Sequence, residues 1–350
     1  MSGPVARTAI LREPAPSAIT AGIALFNRHR VSVVIWLLLL TAPVWLPLVG
    51  SYIQLGSQVL VFALTAMALN ILVGYTGYIS FGEAAYFGLG AYGTGLFLKF
   101  VAPMTLPAVL AGVALGGAAA CLIGPLIMRR RGVYFAMTTI AFSQLFYFIA
   151  EHWNELTGGE DGLAGFQRHA IDFGIATLPL HDADFYYFVL FFFALTAGII
   201  AMLLRSPLGH TWLSIRENAR RARYLGLRTD WYVWAAFAIA GTLAALGGSM
   251  EALLNNFTSP QDLYFIVSGN FVIMVVLGGM GTFWGPLVGA AIFITAQDYL
   301  SSMTLNWESF VGVLFVVVVL AFPRGILGLR RNGRNGTKRG QSGRDQRVRA

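Results

Sequence analysis

The feature that most constrains this chain is a succession of apolar runs, each about as long as a bilayer is thick, repeated almost from end to end. A run of about 20 residues, at 1.5 Å rise per helical residue, matches a hydrocarbon core of roughly 30 Å. Backbone groups in lipid must find partners within the protein, so runs of this length have to be helical. The predicted spans are 31–49, 55–73, 82–101, 107–128, 132–150, 184–204, 230–253, 264–280, 284–303 and 308–323. The fold class is therefore an all-α polytopic membrane protein with about ten transmembrane helices. Composition agrees, because 57% of residues are hydrophobic and only 11% are charged, against about 25% charged in a soluble domain. The single cysteine, Cys121, lies inside an apolar run and cannot form an intrachain disulfide.

Charge distribution orients the spans. Basic residues gather at Arg28 and Arg30, at Arg129 to Arg131, in the loop 205–230, and in the tail. Alternation across ten spans puts all four groups on one side, which the positive-inside rule makes cytoplasmic together with both termini. The loop 151–183 falls on the opposite side, with Glu151, Glu155, Glu160, Asp161, Asp172 and Asp182 against Arg168. Residues 1–30, carrying Pro4, Pro14 and Pro16, form a predicted disordered cytoplasmic arm, and 31–328 form the transmembrane domain. From Arg324 onward nine Arg or Lys face one acid, so the excess of +8 resides there. Residues 329–350 are predicted to be a disordered basic tail attracted to anionic lipid headgroups. Nothing in the tail offers the folded basic face or aromatic platform that nucleic acid needs.

Three glycine-marked segments carry further information. In Gly74-Tyr75-Thr76-Gly77-Tyr78-Ile79-Ser80-Phe81-Gly82-Glu83, Ser80 and Glu83 have capping-box spacing, and an acid in a first turn suits the helix dipole. An acid at a membrane boundary also suggests a transport role. Gly88-Leu89-Gly90-Ala91-Tyr92-Gly93 matches a dinucleotide fingerprint letter for letter, but it lies inside a span with no preceding strand. Close helix packing explains it better. In Gly278–Ala290, Gly281, Gly285 and Gly289 recur every fourth residue, as on one packing face, and Gly278, Gly279 and Gly281 mark a tight turn or a broken helix.

The loop 205–230 holds a predicted amphipathic helix of about three turns. Ser214 and Glu217 are spaced as its capping box, Ile215, Ala219, Ala222 and Leu225 form one face, and Gly226 supplies the stop. Arg216, Arg220, Arg221 and Arg223 line the other face. An alanine face is too small to embed in lipid and suits docking into a protein groove.

These segments together resemble the membrane subunit of high-affinity branched-chain amino acid ABC importers, the LivM-type permeases. The resemblance rests on Gly74–Tyr92, Arg131–Thr139, Leu156–Leu163, Ser206–Gly209, Ile215–Asn218, Ala222-Arg223, Leu225-Gly226, Phe237–Gly241 and Gly278–Ala290, in order across about residues 30–328. It implies a second, paralogous permease, two cytoplasmic ATP-binding subunits, a periplasmic substrate-binding protein and residence in a bacterial inner membrane. It also implies that Ile215, Arg216, Glu217, Ala219, Ala222, Leu225 and Gly226 form a coupling helix held by an ATPase. His210-Thr211-Trp212 departs from the basic and aliphatic residues of the family pattern. The chain has no G-x-x-x-x-G-K-[ST] motif, so it is read as a transport subunit without its own ATPase site, cofactor or metal.

A branched-chain amino acid has charged ends and an apolar side chain. Polar span residues that would serve its ends are Asn70, Thr138, Thr139, Ser143, Gln144 and Asn270, each equally able to join two helices. Two alternatives stay open: an ABC permease for urea or short amides, and a stand-alone secondary transporter. The latter needs buried acidic or histidine relays, whereas Glu83, Glu251 and Asp298 all sit near span ends.

Overall fold

The computed structural model describes residues 32–48, 50, 52–128, 132–169, 171–172, 177–178, 181–303, 309, 312–313 and 325–327. We label the principal helices α1 (Ile53–Asn70), α2 (Glu83–Phe100), α3 (Thr105–Ile127), α4 (Val133–His152), α5 (Asp182–Arg205), α6 (Pro207–Tyr224), α7 (Thr229–Asn255), α8 (Phe265–Gly278) and α9 (Gly285–Met303). Among the described residues, paired strands are confined to Ile171–Asp172 and Thr177–Leu178. Nine of the ten predicted spans are helical to within three residues at either end. The tenth, 308–323, lies outside the described residues except at 309, 312 and 313. Among the described residues, five helices are long and apolar enough to cross a membrane: Ile53–Thr76, α3, α4, α5 and α7.

Helical residues 32–48 break at Thr41. Pro43 lacks the N–H that would bond the carbonyl four residues back, at Leu39. That freed carbonyl accepts the Tyr186 hydroxyl at 2.8 Å, which fixes α5 against the first helical segment.

The centre of the bundle is α1 with α7, the two most buried of the crossing helices. Glycine lets α2 pack closely on α7. A Cβ on Gly248 of α7 would strike the Phe87 carbonyl of α2, and one on Gly90 would strike the Ala245 carbonyl. Ser249 Oγ donates to the Gly90 carbonyl at 3.2 Å across the same seam. The Gly88–Gly93 stretch thus serves close helix approach, as its place in a span implied. On the other side of α2, a Cβ on Gly93 would lie 2.8 Å from Gly112 Cα of α3. Cys121 lies on the outward face of α3, while its carbonyl accepts Trp234 Nε1 at 3.2 Å.

The chain is not a simple up-and-down bundle after α7. Asn256 closes that helix in the left-handed region, at φ 51°. Thr258 then pairs with Leu163 of the loop after α4 (Leu163 N to Thr258 O 2.8 Å, Thr258 N to Leu163 O 3.1 Å). Ser259 and Asp262 form a reciprocal capping box around Pro260, and Leu263 is carried inward to full burial. Its side chain sits over Gly88, and its carbonyl accepts the Ser143 hydroxyl at 2.6 Å from the middle of α4. The 14-residue α8 that follows spans about 21 Å, short of a full crossing. The glycines at 278–281 mark a tight turn between α8 and α9, not a break inside one helix.

Candidate functional site

Two glycine-marked breaks meet at one end of α1. The first is the end of α1 itself, where Ile71–Thr76 widens into a π-helical turn and Gly77 closes it at φ 79°. Both the Gly77 and Tyr78 N–H groups bond the Leu72 carbonyl, the latter at 3.1 Å. The second is the turn between α8 and α9, with Gly279 at φ 118° and Gly281 at φ 73°. Asn70, 2% exposed, joins them. Its Oδ1 accepts the Gly281 N–H at 3.0 Å, and its Nδ2 donates to the Thr282 carbonyl at 2.9 Å.

This corrects two expectations. Gly281 does not share a helical face with Gly285 and Gly289, because it occupies the left-handed turn before α9 begins. Gly285 and Gly289 keep the packing role: Cβ atoms there would meet the Gly279 and Met274 carbonyls. Gly278 opposes Gly285 as Met274 opposes Gly289, so α8 and α9 form an antiparallel hairpin. Asn70, in turn, is committed to backbone groups rather than open to a passing solute.

The segment after Gly77 runs back along α4. Thr139 Oγ1 donates to the Ala136 carbonyl at 2.7 Å and accepts the Phe81 N–H at 3.1 Å. The capping box expected at Ser80 and Glu83 is not formed. The helix begins at Glu83 itself, one position after Gly82, and Ser80 Oγ accepts the Gly82 N–H at 3.3 Å. Ser80 lies two residues before the N-cap, Gly82, so Glu83 is the first helical residue and not the third that a capping box needs. Glu83 is fully buried, and neither carboxyl oxygen has a hydrogen-bond partner among the described residues. Its neighbour Ala84 donates its N–H to Ser268 Oγ of α8 at 2.7 Å. Ser268 has no sequence signal as a contact, being one serine in an apolar run.

The polar span residues thus divide. Asn70, Thr139 and Ser143 are buried and spend their hydrogen bonds on the Gly281 turn, Phe81 and Leu263. Thr138 is half-buried and bonds back to the Tyr134 carbonyl at 2.7 Å, as threonines in helices do. Gln144 and Asn270 are half-buried, and Gln144 Nε2 lacks a partner among the described residues.

The helix α6 is longer than expected and is built differently. It starts at Pro207, with proline in the first turn after Ser206, a good starting signal. Ser214 is already inside the helix and bonds back to the His210 carbonyl at 2.9 Å, so the Ser214–Glu217 box is absent. The helix instead kinks at Asn218 (φ −161°, ψ 96°), whose Oδ1 accepts the Arg221 N–H at 3.0 Å and caps the second part. Gly226 ends it at φ 84°, as expected.

The facing of α6 also differs from expectation. Ile215 and Ala222 are buried against this chain's own helices, joined by Trp212, whose Nε1 donates to the Tyr232 carbonyl at 2.8 Å. Ala219 is half-buried, and Glu217 and Leu225 are exposed. The outward surface includes Arg220, Arg221, Arg223, Tyr224 and Leu225, with Tyr224 90% exposed. Arg216 is also exposed, but its tip reaches the end of α1, where its Nη1 donates to the Gly74 carbonyl. The sequence carries no mark of that bond, because the two residues are 142 positions apart.

The loop after α4 is firmer than a solvated acidic tip. Glu160 and Asp161 are exposed, but Gly159, Leu163 and Phe166 are buried, the last two against Gly95 of α2. Thr157 Oγ1 donates within this turn, 2.6 Å from the Ala150 carbonyl.

A family model for the permease component of branched-chain amino acid transport systems matches residues 51–322. The chain is 27% identical, over 318 residues, to the LivM permease protein of the high-affinity branched-chain amino acid transport system of Salmonella typhimurium, covering 84% of this chain and 74% of that one. Against the LivM protein of Escherichia coli it is 26% identical over 331 residues, covering 87% and 77%. The LivH permease protein of the same Escherichia coli system aligns over 129 residues at 31% identity, covering 35% of this chain and 40% of LivH. No solved structure matches the chain.

Proposed function

Because the chain belongs to the family of permease components of branched-chain amino acid transport systems, we propose that it is one half of the membrane pathway of an ATP-driven importer. Its cargo in this reading is a branched-chain or related hydrophobic amino acid, and the other half is a paralogous permease. Two ATP-binding subunits supply the energy from the cytoplasm, and a periplasmic binding protein delivers the ligand to the Glu151–Asp182 side. In this reading about ten helical segments lie in a bacterial inner membrane, and the basic clusters at Arg28, Arg129–Arg131, 205–230 and the tail put both termini on the cytoplasmic side.

The observation that carries this reading is α6. It lies between two crossing helices, and its outer half presents three arginines around the exposed Tyr224 and Leu225. An aromatic and aliphatic knob ringed by cations suits an acidic-rimmed apolar groove on a partner. Buried Ile215 and Ala222 hold α6 to the bundle, so the partner grips the segment from Glu217 through Gly226. Along the pathway, Thr138, Gln144 and Asn270 are the residues left to meet a zwitterion.

The test is reconstitution of the full chain with its co-encoded partner subunits in liposomes. ATP-dependent uptake of radiolabelled leucine is expected, and it should disappear when Tyr224 and Leu225 are both replaced by aspartate. Uptake of urea or acetamide in place of leucine would reassign the cargo, and leucine uptake without ATP would overturn the importer reading. Gln144→Leu and Asn270→Leu are expected to lower the uptake rate at unchanged complex yield.

A further inference from the structure

The inner contact of α6 has its own consequence, resting on the reading of α6 as the element that an ATPase moves. Two side chains of α6 hydrogen-bond outside it: Trp212, to the adjacent α7, and Arg216, to Gly74 at the far end of α1. The Gly74 carbonyl is one of the acceptors that a helix leaves over at its C-terminus, where a cation is favoured by the helix dipole. Arg216 therefore caps α1 from another element.

The site is shaped for that guanidinium. A Cβ on Gly77 would lie 3.2 Å from Arg216 Cγ, and one on Gly281 would lie 2.6 Å from Nη1. Glycines of both breaks thus stand back to admit one side chain, and Asn70, one turn before Gly74, ties the same breaks together. The kink at Asn218 follows two residues after Arg216. It divides the inward half of α6 from the outward half that carries Tyr224 and Leu225.

From this geometry we infer that Arg216 is a positioning residue, the latch through which displacement of α6 is transmitted to the end of α1 and to the α8–α9 turn. Pulling the outer half of α6 withdraws the guanidinium and uncaps the π-helical turn. The Gly281 turn, bound to α1 only one helical turn away through Asn70, moves with it. Both breaks then change together, on opposite sides of the same cradle.

The experiment uses the full complex in liposomes and reads amino acid delivered per ATP hydrolysed, for wild type, Arg216→Ala, Arg216→Lys and Gly77→Leu. Arg216→Ala should lower that ratio about tenfold, the factor that loss of one charge-assisted hydrogen bond allows. Lysine retains a cation at the helix end and should recover a large part of it, whereas Gly77→Leu should reproduce the alanine defect by filling the cradle. A structural role alone would lower complex yield and leave the ratio unmoved. Hydrogen exchange on the wild-type complex, with and without ATP and vanadate, supplies a measurement that needs no variant. The amides of 74–82 and 279–284 should change protection together. A wild-type ratio in Arg216→Ala, or independent exchange in the two segments, overturns the latch. If no ATPase subunit co-purifies with the wild-type complex, the underlying reading of α6 fails instead.

Discussion

Asn70 accepts the Gly281 N–H at 3.0 Å across 211 residues of sequence, and so fastens the α8–α9 turn to the end of α1. The same amide donates to the Thr282 carbonyl at 2.9 Å. Both bonds come from a buried side chain and go to backbone groups, and an unmade bond there costs about 1–3 kcal/mol. Asn70→Ala should lower stability by about that amount, read as a lower midpoint of thermal unfolding in detergent. Asn70→Asp keeps the acceptor for Gly281 but loses the donor to Thr282, so its midpoint should fall between alanine and wild type. An unchanged midpoint in the alanine variant would show that the fastening carries no stability.

The seam between α2 and α7 predicts opposite outcomes for two glycine-to-alanine changes. At Gly248 a Cβ would collide with the Phe87 carbonyl, whereas at Gly198 of α5 nothing lies within 4 Å. Gly248→Ala forces two backbones apart and should destabilise by about 1–3 kcal/mol. Gly198→Ala should stabilise by up to about 1 kcal/mol, since alanine is the better helix former. The comparison needs only denaturant titration of the two variants in the same detergent. Equal shifts would contradict the close approach at Gly248.

How much of this was legible depends on the range of each cause. The spans could be read because bilayer thickness acts on composition over about 20 residues, and nine helices lie where the apolar runs place them. The stop at Gly226 and the break at Gly278–Gly281 could be read because backbone geometry singles out glycine. The two Ser-x-x-Glu boxes misled because their spacing is only permissive. At Ser214 the helix had already begun, seven residues earlier at Pro207. At Ser80 the chain is not yet helical, and the next residue, Phe81, bonds Thr139. The amphipathic face of α6 gave burial but not its object, since buried Ile215 and Ala222 look alike whether the groove belongs to this chain or to another. Arg216 with Gly74 and Asn70 with Gly281 were beyond reach, because only the finished fold brings them together.

The inward segment after α7 is held by a serine in the middle of α4. Ser143 donates to the Leu263 carbonyl at 2.6 Å, and both residues are buried. Ser143→Ala should cost about 1 kcal/mol in net hydrogen bonding, and its effect should be local. Hydrogen exchange should rise at residues 259–264 and stay level in α1 and α7. A uniform rise across the bundle would mean that this segment has no independent opening, against the boundary seen at Asn256.

Asn218 is the last position where geometry and sequence make a sharp statement. Its backbone leaves the helix, and its side chain caps the segment that carries Tyr224 and Leu225. Asn218→Ala favours a continuous helix at this point but loses a cap, a cost of about 1 kcal/mol to the second part. Straightening α6 would also turn residues 219–225 relative to Arg216, because the kink fixes the angle between its halves. The variant should therefore keep its fold and its complex yield while weakening ATPase attachment, measured as the salt concentration at which the ATP-binding subunits wash off. Asn218→Ser and Asn218→Asp, both competent caps, should hold at nearly the wild-type salt concentration. If alanine holds as firmly as serine, the kink does not set how α6 is presented.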